Sequence, residues 1–155
     1  MSLSIEYITE PTQDARALID ELDAELNGPY APEQWHGLSI ERVFQPGVLF
    51  FIARLNGDAV GCGGIALDDG WAEVKRMYVR PHARRGKVAQ AILAHLETVA
   101  RTHGVTRIAL ETGDVQQAAL RFYESAGFTR CEAFGTYVAM PAYAIERSVF
   151  FEKKI

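Results

Sequence analysis

With 155 residues, 48% hydrophobic and 23% charged, the chain can bury one sizeable core and has the composition of a single globular domain over 1–155. No run approaches the roughly 18 apolar residues of a membrane span, and a net charge of −4 speaks against nucleic acid as a partner while suiting a cationic amine. The N-terminal stretch MSLSIEYITEP has neither a basic leader nor an apolar core, so a cytoplasmic location is expected. The four histidines have no metal-ligand spacing with each other or with the two cysteines, so no metal is expected; Cys62 and Cys131 read as buried free thiols.

Taken in chain order, Ser4 to Thr9 alternates polar and apolar residues as a first strand does. Thr12 is placed to cap a helix whose apolar positions Ala15, Leu18, Ile19, Leu22 and Leu26 follow the 3.6-residue period, and Asn27-Gly28-Pro29 ends it. A loop with large side chains (Tyr30, Trp35, His36) leads to a short helical piece, Leu38 to Phe44. Val48 to Leu55 and Ala59 to Leu67 are strands joined by the hairpin signal Asn56-Gly57-Asp58. A second turn, Asp68-Asp69-Gly70, feeds the strand Trp71 to Val79, completing an antiparallel meander. The helix Gly86 to His103 follows, then a strand Thr106 to Glu111 that a crossover of this length makes parallel to its predecessor. Asp114, with Gln117 three positions on, suggests a capping box for a further helix carrying Ala119, Phe122, Tyr123 and Ala126, closed by Gly127. Phe128 to Cys131 and Arg147 to Lys153 are the last strands, joined by an aromatic-rich loop. The order β-α-α-β-β-β-α-β-α-β-β gives an α/β fold: a mixed, mostly antiparallel sheet with helices on both faces.

Two local features carry chemistry. In WAEVKRMYV, Ala72 and Val74 share one parity and Met77 and Val79 the other, the signature of a β-bulge within the strand. A bulge leaves backbone groups free to pair with a ligand. Directly after it, Pro81 stops the strand and Arg80, His82, Arg84, Arg85 and Lys87 crowd a helix start that has no acidic residue in its first turn. The free N–H groups of Gly86, Lys87, Val88 and Ala89, at the positive end of the helix dipole, read as a phosphate site, the plainer alternative being a solvated basic surface. No Ser or Thr follows Lys87 to hold magnesium and Gly86 stands alone, which excludes a nucleoside-triphosphate loop and a dinucleotide fingerprint.

With AEVKRMYV, RRGKVA and AALRFYESAGF in place, the chain resembles the GNAT superfamily of acetyl-CoA-dependent N-acetyltransferases, in particular its small bacterial members, over almost its whole length. The family's pyrophosphate pattern [QR]-x-x-G-x-[GA] falls on Arg84-Arg85-Gly86-Lys87-Val88-Ala89, with Lys87 where Gly is usual. The resemblance implies acetyl-CoA as acyl donor, lying between the strand ending at Val79 and the next parallel strand. The backbone of Met77, Tyr78 and Val79 would hold the pantetheine arm, residues Arg84, Arg85, Gly86, Lys87, Val88 and Ala89 the pyrophosphate, and Gln116 would stand where the family has a cofactor-contacting Asn. It also implies a base at Glu73, acting directly or through a water, and a general acid at Tyr123. Either residue has a plainer alternative, a salt bridge for Glu73 and a core position for Tyr123.

Acetyl transfer to an alkyl amine of pKa ~10 requires a proton acceptor, and a backbone N–H at the bulge near Met77 would hold the oxyanion. Proton transfer from a phenol of pKa ~10 to a thiolate of pKa ~8.5 is uphill by about 2 kcal/mol, so Tyr123 could act largely by hydrogen bonding. Two aromatic loops, one with Tyr30, Trp35 and His36 and the other with Phe134, Tyr137, Met140 and Tyr143, flank the acceptor side in the family. Tyr30, Trp35 and Tyr137 are therefore candidate contacts to a small-molecule amine with an apolar part, unless those rings merely pin the loops. A homodimer is compatible with the resemblance, as is a non-catalytic acyl-CoA-binding domain, which would need neither Glu73 nor Tyr123.

Overall fold

A computed structural model describes residues 2–155. The elements are β1 (Leu3–Ile8), α1 (Gln13–Asn27), α2 (Ile40–Val43), β2 (Val48–Leu55), β3 (Asp58–Leu67), β4 (Trp71–Val79), α3 (Val88–Thr102), β5 (Arg107–Gly113), α4 (Gln117–Ser125), β6 (Thr129–Cys131), α5 (Ala142–Ile145) and β7 (Ser148–Lys154). They form a seven-stranded sheet in the order β1-β2-β3-β4-β5-β7-β6. Every neighbouring pair is antiparallel except β4 and β5.

The local signals act as the sequence suggests. Thr12 Oγ1 accepts the Ala15 N–H at 3.2 Å and starts α1. Asn56 (φ 52°) and Gly57 (φ 90°) both take the left-handed backbone that a tight hairpin between right-twisted strands requires. Gly127 (φ 97°) stops the chain after α4. Helix α1 buries Ala15, Leu18, Ile19 and Leu22 on one face of the sheet, against Phe50, Ile52 and Tyr78. Helices α3 and α4 cover the other face through Ile92, Leu96, Leu120 and Tyr123, packed with Phe51, Ile65, Ile108 and Phe151.

Four expectations need correction. Helix α3 begins at Val88 rather than Gly86, because Arg85 (φ 73°) and Lys87 (φ 63°) are left-handed and cannot belong to it. The N-cap of α4 is Gln116, with no side-chain cap; Asp114 instead binds Arg147 at 3.0 Å, so the capping box does not form. Cys62 is fully buried, whereas Cys131 lies on the short outer strand and is only partly covered. The aromatic-rich loop holds a 3-10 turn over Gly135–Ala139 and the short α5, because Phe134 and Tyr137 pack inward against Phe150.

The parity break in β4 is a bulge. Gly64 pairs with Lys75 and Cys62 with Tyr78, so Gly63 faces two residues, Arg76 and Met77. Arg76 takes a φ of 54° to make room. Past this point β4 and β5 separate: they pair only at Trp71–Arg107, Ala72–Ile108 and Glu73–Ala109. The far half of β4 therefore has β3 on one side and an open backbone edge on the other.

Strand β3 sits tightly enough behind that edge to admit no side chain at Gly61, where a β-carbon would lie 2.7 Å from the Tyr78 carbonyl oxygen. Gly61→Ala is expected to lower stability by about 1–3 kcal/mol, measured by chemical denaturation. An unchanged midpoint would mean that the two strands are not held this closely.

Candidate active site

The separation of β4 from β5 opens a cleft. Its walls include Leu22, Tyr30, Trp35, Glu73, Lys75, Arg76, Met77, Glu111, Gln116, Tyr123, Tyr137 and Ser148. Of the residues singled out from the sequence, Glu73, Tyr123, Met77, Gln116, Tyr30, Trp35 and Tyr137 therefore meet at one place, while Tyr78, Val79 and the segment Arg84 to Ala89 lie outside its walls.

Glu73 is buried, and both of its recorded partners converge on one oxygen. Its Oε2 receives the Tyr137 hydroxyl at 2.6 Å and the Lys75 ammonium at 2.8 Å. Lys75 also donates to the Tyr137 hydroxyl oxygen at 3.1 Å, closing a three-membered network. Tyr137 is held by Phe134, Phe150 and His36, with ring centroids 5.2–5.4 Å away. Burial, followed by the charges of Glu73 and Glu111, raises its phenol far above the ordinary range. Tyr137 is thus a permanent donor.

A second carboxylate, Glu111 at the splayed end of β5, was not singled out from the sequence. Its Oε2 accepts the Ser148 hydroxyl at 2.6 Å, and among the described residues no cation lies within ion-pair distance. Burial raises its pKa; the Ser148 hydrogen bond and the charges of His36 and Lys75 act in the opposite sense. As the last residue of an apparent strand, TRIALE, Glu111 carried no mark beyond its proximity to the next helix.

Tyr123 projects from α4 with its ring against Phe122, Phe128 and Phe151. Burial alone raises its phenol pKa well above the free value. Its hydroxyl makes no hydrogen bond among the described residues. It remains protonated at every ordinary pH, able to donate into the cleft.

Tyr30 and Trp35 line the cleft and also pin its loop. The Tyr30 hydroxyl accepts the Val115 N–H at 3.1 Å, and its ring lies 4.7 Å beneath the Arg147 guanidinium. The Trp35 indole N–H donates to the carbonyls of Asn27 and Tyr30, and the residue remains 46% exposed. His36 donates from Nε2 to the Ala144 carbonyl at 2.7 Å, tying this loop to α5. The two aromatic loops do meet across the cleft.

At the other end, the basic loop divides its labour. Arg84 is occupied by the Glu25 carboxylate (2.9 Å) and by the Val79 carbonyl (2.8 Å). Arg85, Gly86 and Lys87 are exposed, and neither Arg85 nor Lys87 forms an ion pair among the described residues. The first turn of α3 has no acidic residue and no side-chain cap. Two uncommitted cations beside uncapped N–H groups fit a pyrophosphate, and the open β4 edge fits an extended amide-bearing arm. Lys87 keeps the left-handed backbone that glycine would take at that position.

The sequence matches the Acetyltransferase (GNAT) family over residues 15–128. An IAA acetyltransferase from Azospirillum brasilense is 39% identical over 148 residues, 94% of either chain. The chain belongs to the GNAT acetyltransferase family. The N-acetyltransferase YsnE of Bacillus subtilis is 36% identical over 128 residues, 80% of this chain and 81% of its own. A Klebsiella pneumoniae protein assigned to the acyl-CoA N-acyltransferases superposes with a TM-score of 0.77 at 33% identity, covering 98% of this chain and 97% of its own. The PaiA N-acetyltransferase of Thermoplasma acidophilum, solved with coenzyme A, shares the fold at a TM-score of 0.73 and 17% identity, over 100% of both chains. This chain is accordingly a GNAT enzyme.

Two outcomes follow from this geometry. The folded-state pKa of Glu111 is raised, so its contribution to stability is fully present below the unfolded carboxylate pKa and is lost as pH rises through the folded value. Glu111→Gln removes the buried charge, so its melting temperature should gain on the parent's as pH goes from 4 to 8. A constant difference would place Glu111 in water. Separately, Lys87→Gly relieves left-handed strain and should stabilise the protein by about 1 kcal/mol while weakening coenzyme A binding, both read by thermal melts with and without coenzyme A. Unaltered coenzyme A affinity would remove Lys87 from the phosphate site.

Proposed function

We propose that the chain transfers an acetyl group from acetyl-CoA directly to the primary amine of a small acceptor. The observation that carries this reading is the convergence, in one cleft, of an open β4 edge, a bulge with backbone groups outside the ladder, an unpaired carboxylate and a protonated phenol. A domain that only bound acyl-CoA would need the edge and the basic loop, but not Glu111 and Tyr123.

Each residue has a separable task. Arg85, Lys87 and the N–H groups at the start of α3 would hold the pyrophosphate, with the backbone of Met77, Tyr78 and Val79 along the pantetheine arm and Gln116 at the mouth of α4. When bound, acetyl-CoA supplies the activated thioester. A backbone N–H of the bulge at Arg76–Met77 would hold the carbonyl oxygen as negative charge develops on it, and a fixed donor there is worth about 3 kcal/mol. The acceptor arrives as an ammonium of pKa ~10 and must lose a proton. Of the two carboxylates, Glu73 is already paired with a cation, Lys75, and with the Tyr137 hydroxyl, both through Oε2. Glu111 has a single hydroxyl partner, and its burial favours taking up a proton. The reading therefore assigns proton removal to Glu111, directly or through water, and to Glu73 the placement of Tyr137 and Lys75. Tyr123 donates a hydrogen bond to the departing sulfur. With its pKa raised, full proton transfer is steeper than for a free phenol, and hydrogen-bond donation dominates.

The acceptor side is built by Tyr30, Trp35 and Tyr137, which favour a compound with an apolar part; IAA in the name of the Azospirillum relative indicates a small molecule.

The experiment is CoA release from acetyl-CoA against a panel of small amines, with pH profiles of kcat/KM. Glu111→Gln should abolish the acid limb, which lies above the ordinary carboxylate range because burial raises Glu111. Tyr123→Phe should lower kcat roughly 100-fold. If Glu73→Gln alone abolishes the limb, the base is Glu73. If no amine releases CoA, the binding-domain alternative takes its place.

A further inference from the structure

Arg76 presents a charge that the protein itself does not fully satisfy. It occupies the bulge at φ 54°, and its side chain is only 3% exposed. Nη2 donates to Asp23, a carboxylate whose own side chain is 41% exposed. Nε is buried with no acceptor. Nη1 has none among the described residues and lies so close to Gly37 that a β-carbon there would fall 1.7 Å from it. A guanidinium offers five N–H donors in a planar fork. Here the structure records one hydrogen bond, to a partly solvated partner, and burying the remainder unpaired is costly.

The other cations of the cleft are already committed. Lys75 is held by Glu73 and Tyr137, and Arg147 by Asp114 at 3.0 Å. The uncommitted anion is Glu111. One wall thus carries a cation short of acceptors and another an anion short of a cation.

We propose that the acceptor is an amine that also carries a carboxylate, an amino acid in chemical class, and that Arg76 receives the carboxylate. This rests on the amine-acetylation reading above. Arg76 can pair with a planar carboxylate through the two parallel N–H donors of its Nη1–Nη2 end, where Nη1 has no acceptor among the described residues and Nη2 has Asp23 alone. The ammonium end goes to Glu111, and the apolar part of the acceptor meets the aromatic loops. Gly37 lacks a side chain because Nη1 occupies that space. Arg76 is a specificity-determining residue on this account, with no part in proton transfer.

The test compares L-amino acids with their amides and decarboxylated amines in the CoA-release assay. The amides have the less basic nitrogen and would win if the carboxylate were not recognised. The parent should prefer the acids at least 10-fold in kcat/KM. Arg76→Gln should bring the ratio to unity or below through a rise in KM for the acids relative to their amides. Should that variant not fold, Gly37→Ala, which intrudes on Nη1 from an exposed loop, should reduce the same ratio. Amides used as well as acids by the parent, or an acid preference that survives either substitution in folded protein, would overturn the assignment. If no amine turns over, the transfer reading fails by itself. The carboxylate site is then read by thermal shift with 3-phenylpropionate and its amide: stabilisation by the acid alone, lost in Gly37→Ala, upholds it, and any other pattern removes it.

Discussion

Strand β4 cannot pair fully with both of its neighbours, and the rest of the molecule is arranged around that constraint. It keeps β3 along its length by taking up one extra residue at Arg76–Met77. The bulge increases the local twist and bends the strand, and pairing with β5 stops at Glu73. With a sheet neighbour on one side only, the far half of β4 takes further support from elsewhere. That support comes from α1, whose Glu21 binds Arg80 at 2.8 Å, whose Glu25 binds Arg84 at 2.9 Å, and whose Asp23 binds Arg76. Three ion pairs from one helix hold the bulge, the strand end and the basic loop together. The Arg80–Glu21 hydrogen bond lowers the Glu21 pKa and strengthens its pairing. Leaving a backbone edge unpaired is costly in a closed domain, and the proposed binding of an extended arm along it would supply the missing partners.

The same cleft divides two carboxylates by environment. Glu73 is buried within a network of donors, and Glu111 is half-buried with one hydroxyl for company. Placing similar groups in dissimilar surroundings is a general way to obtain different acid–base behaviour from one residue type. Tyr137 and Tyr123 repeat the theme among phenols. Burial holds both protonated, the first bonded within the protein, the second free to donate outward.

Much of this was legible in the sequence because it is local. The parity switch between Val74 and Met77 marks the bulge, and Asn56-Gly57 and Thr12 act within a few residues of themselves. The basic loop was legible as a charge cluster, but its division of labour was not. Arg84 turns to Glu25, 59 positions away in the chain, while Arg85 and Lys87 form no ion pair among the described residues. Asp114 was misread as a cap because its true partner, Arg147, lies 33 positions on. Tyr137 was picked out as one aromatic among several, and its bond to Glu73 spans 64 positions. Glu111 gave no signal, since a strand-end glutamate is ordinarily exposed, and its hydrogen-bond partner Ser148 lies 37 positions on. Short-range conformational rules could be read directly; side-chain pairing between distant elements could not.

The central claim is that the open edge of β4 and the start of α3 together form the cofactor surface. Amide hydrogen exchange followed residue by residue, with and without coenzyme A, measures this most directly. The account predicts that added coenzyme A slows exchange at the β4 edge among Met77, Tyr78 and Val79 and at Gly86 to Ala89, and leaves the β1–β2 pairing unchanged. Protection confined to other segments, with the β4 edge and the α3 start exchanging as before, would contradict it.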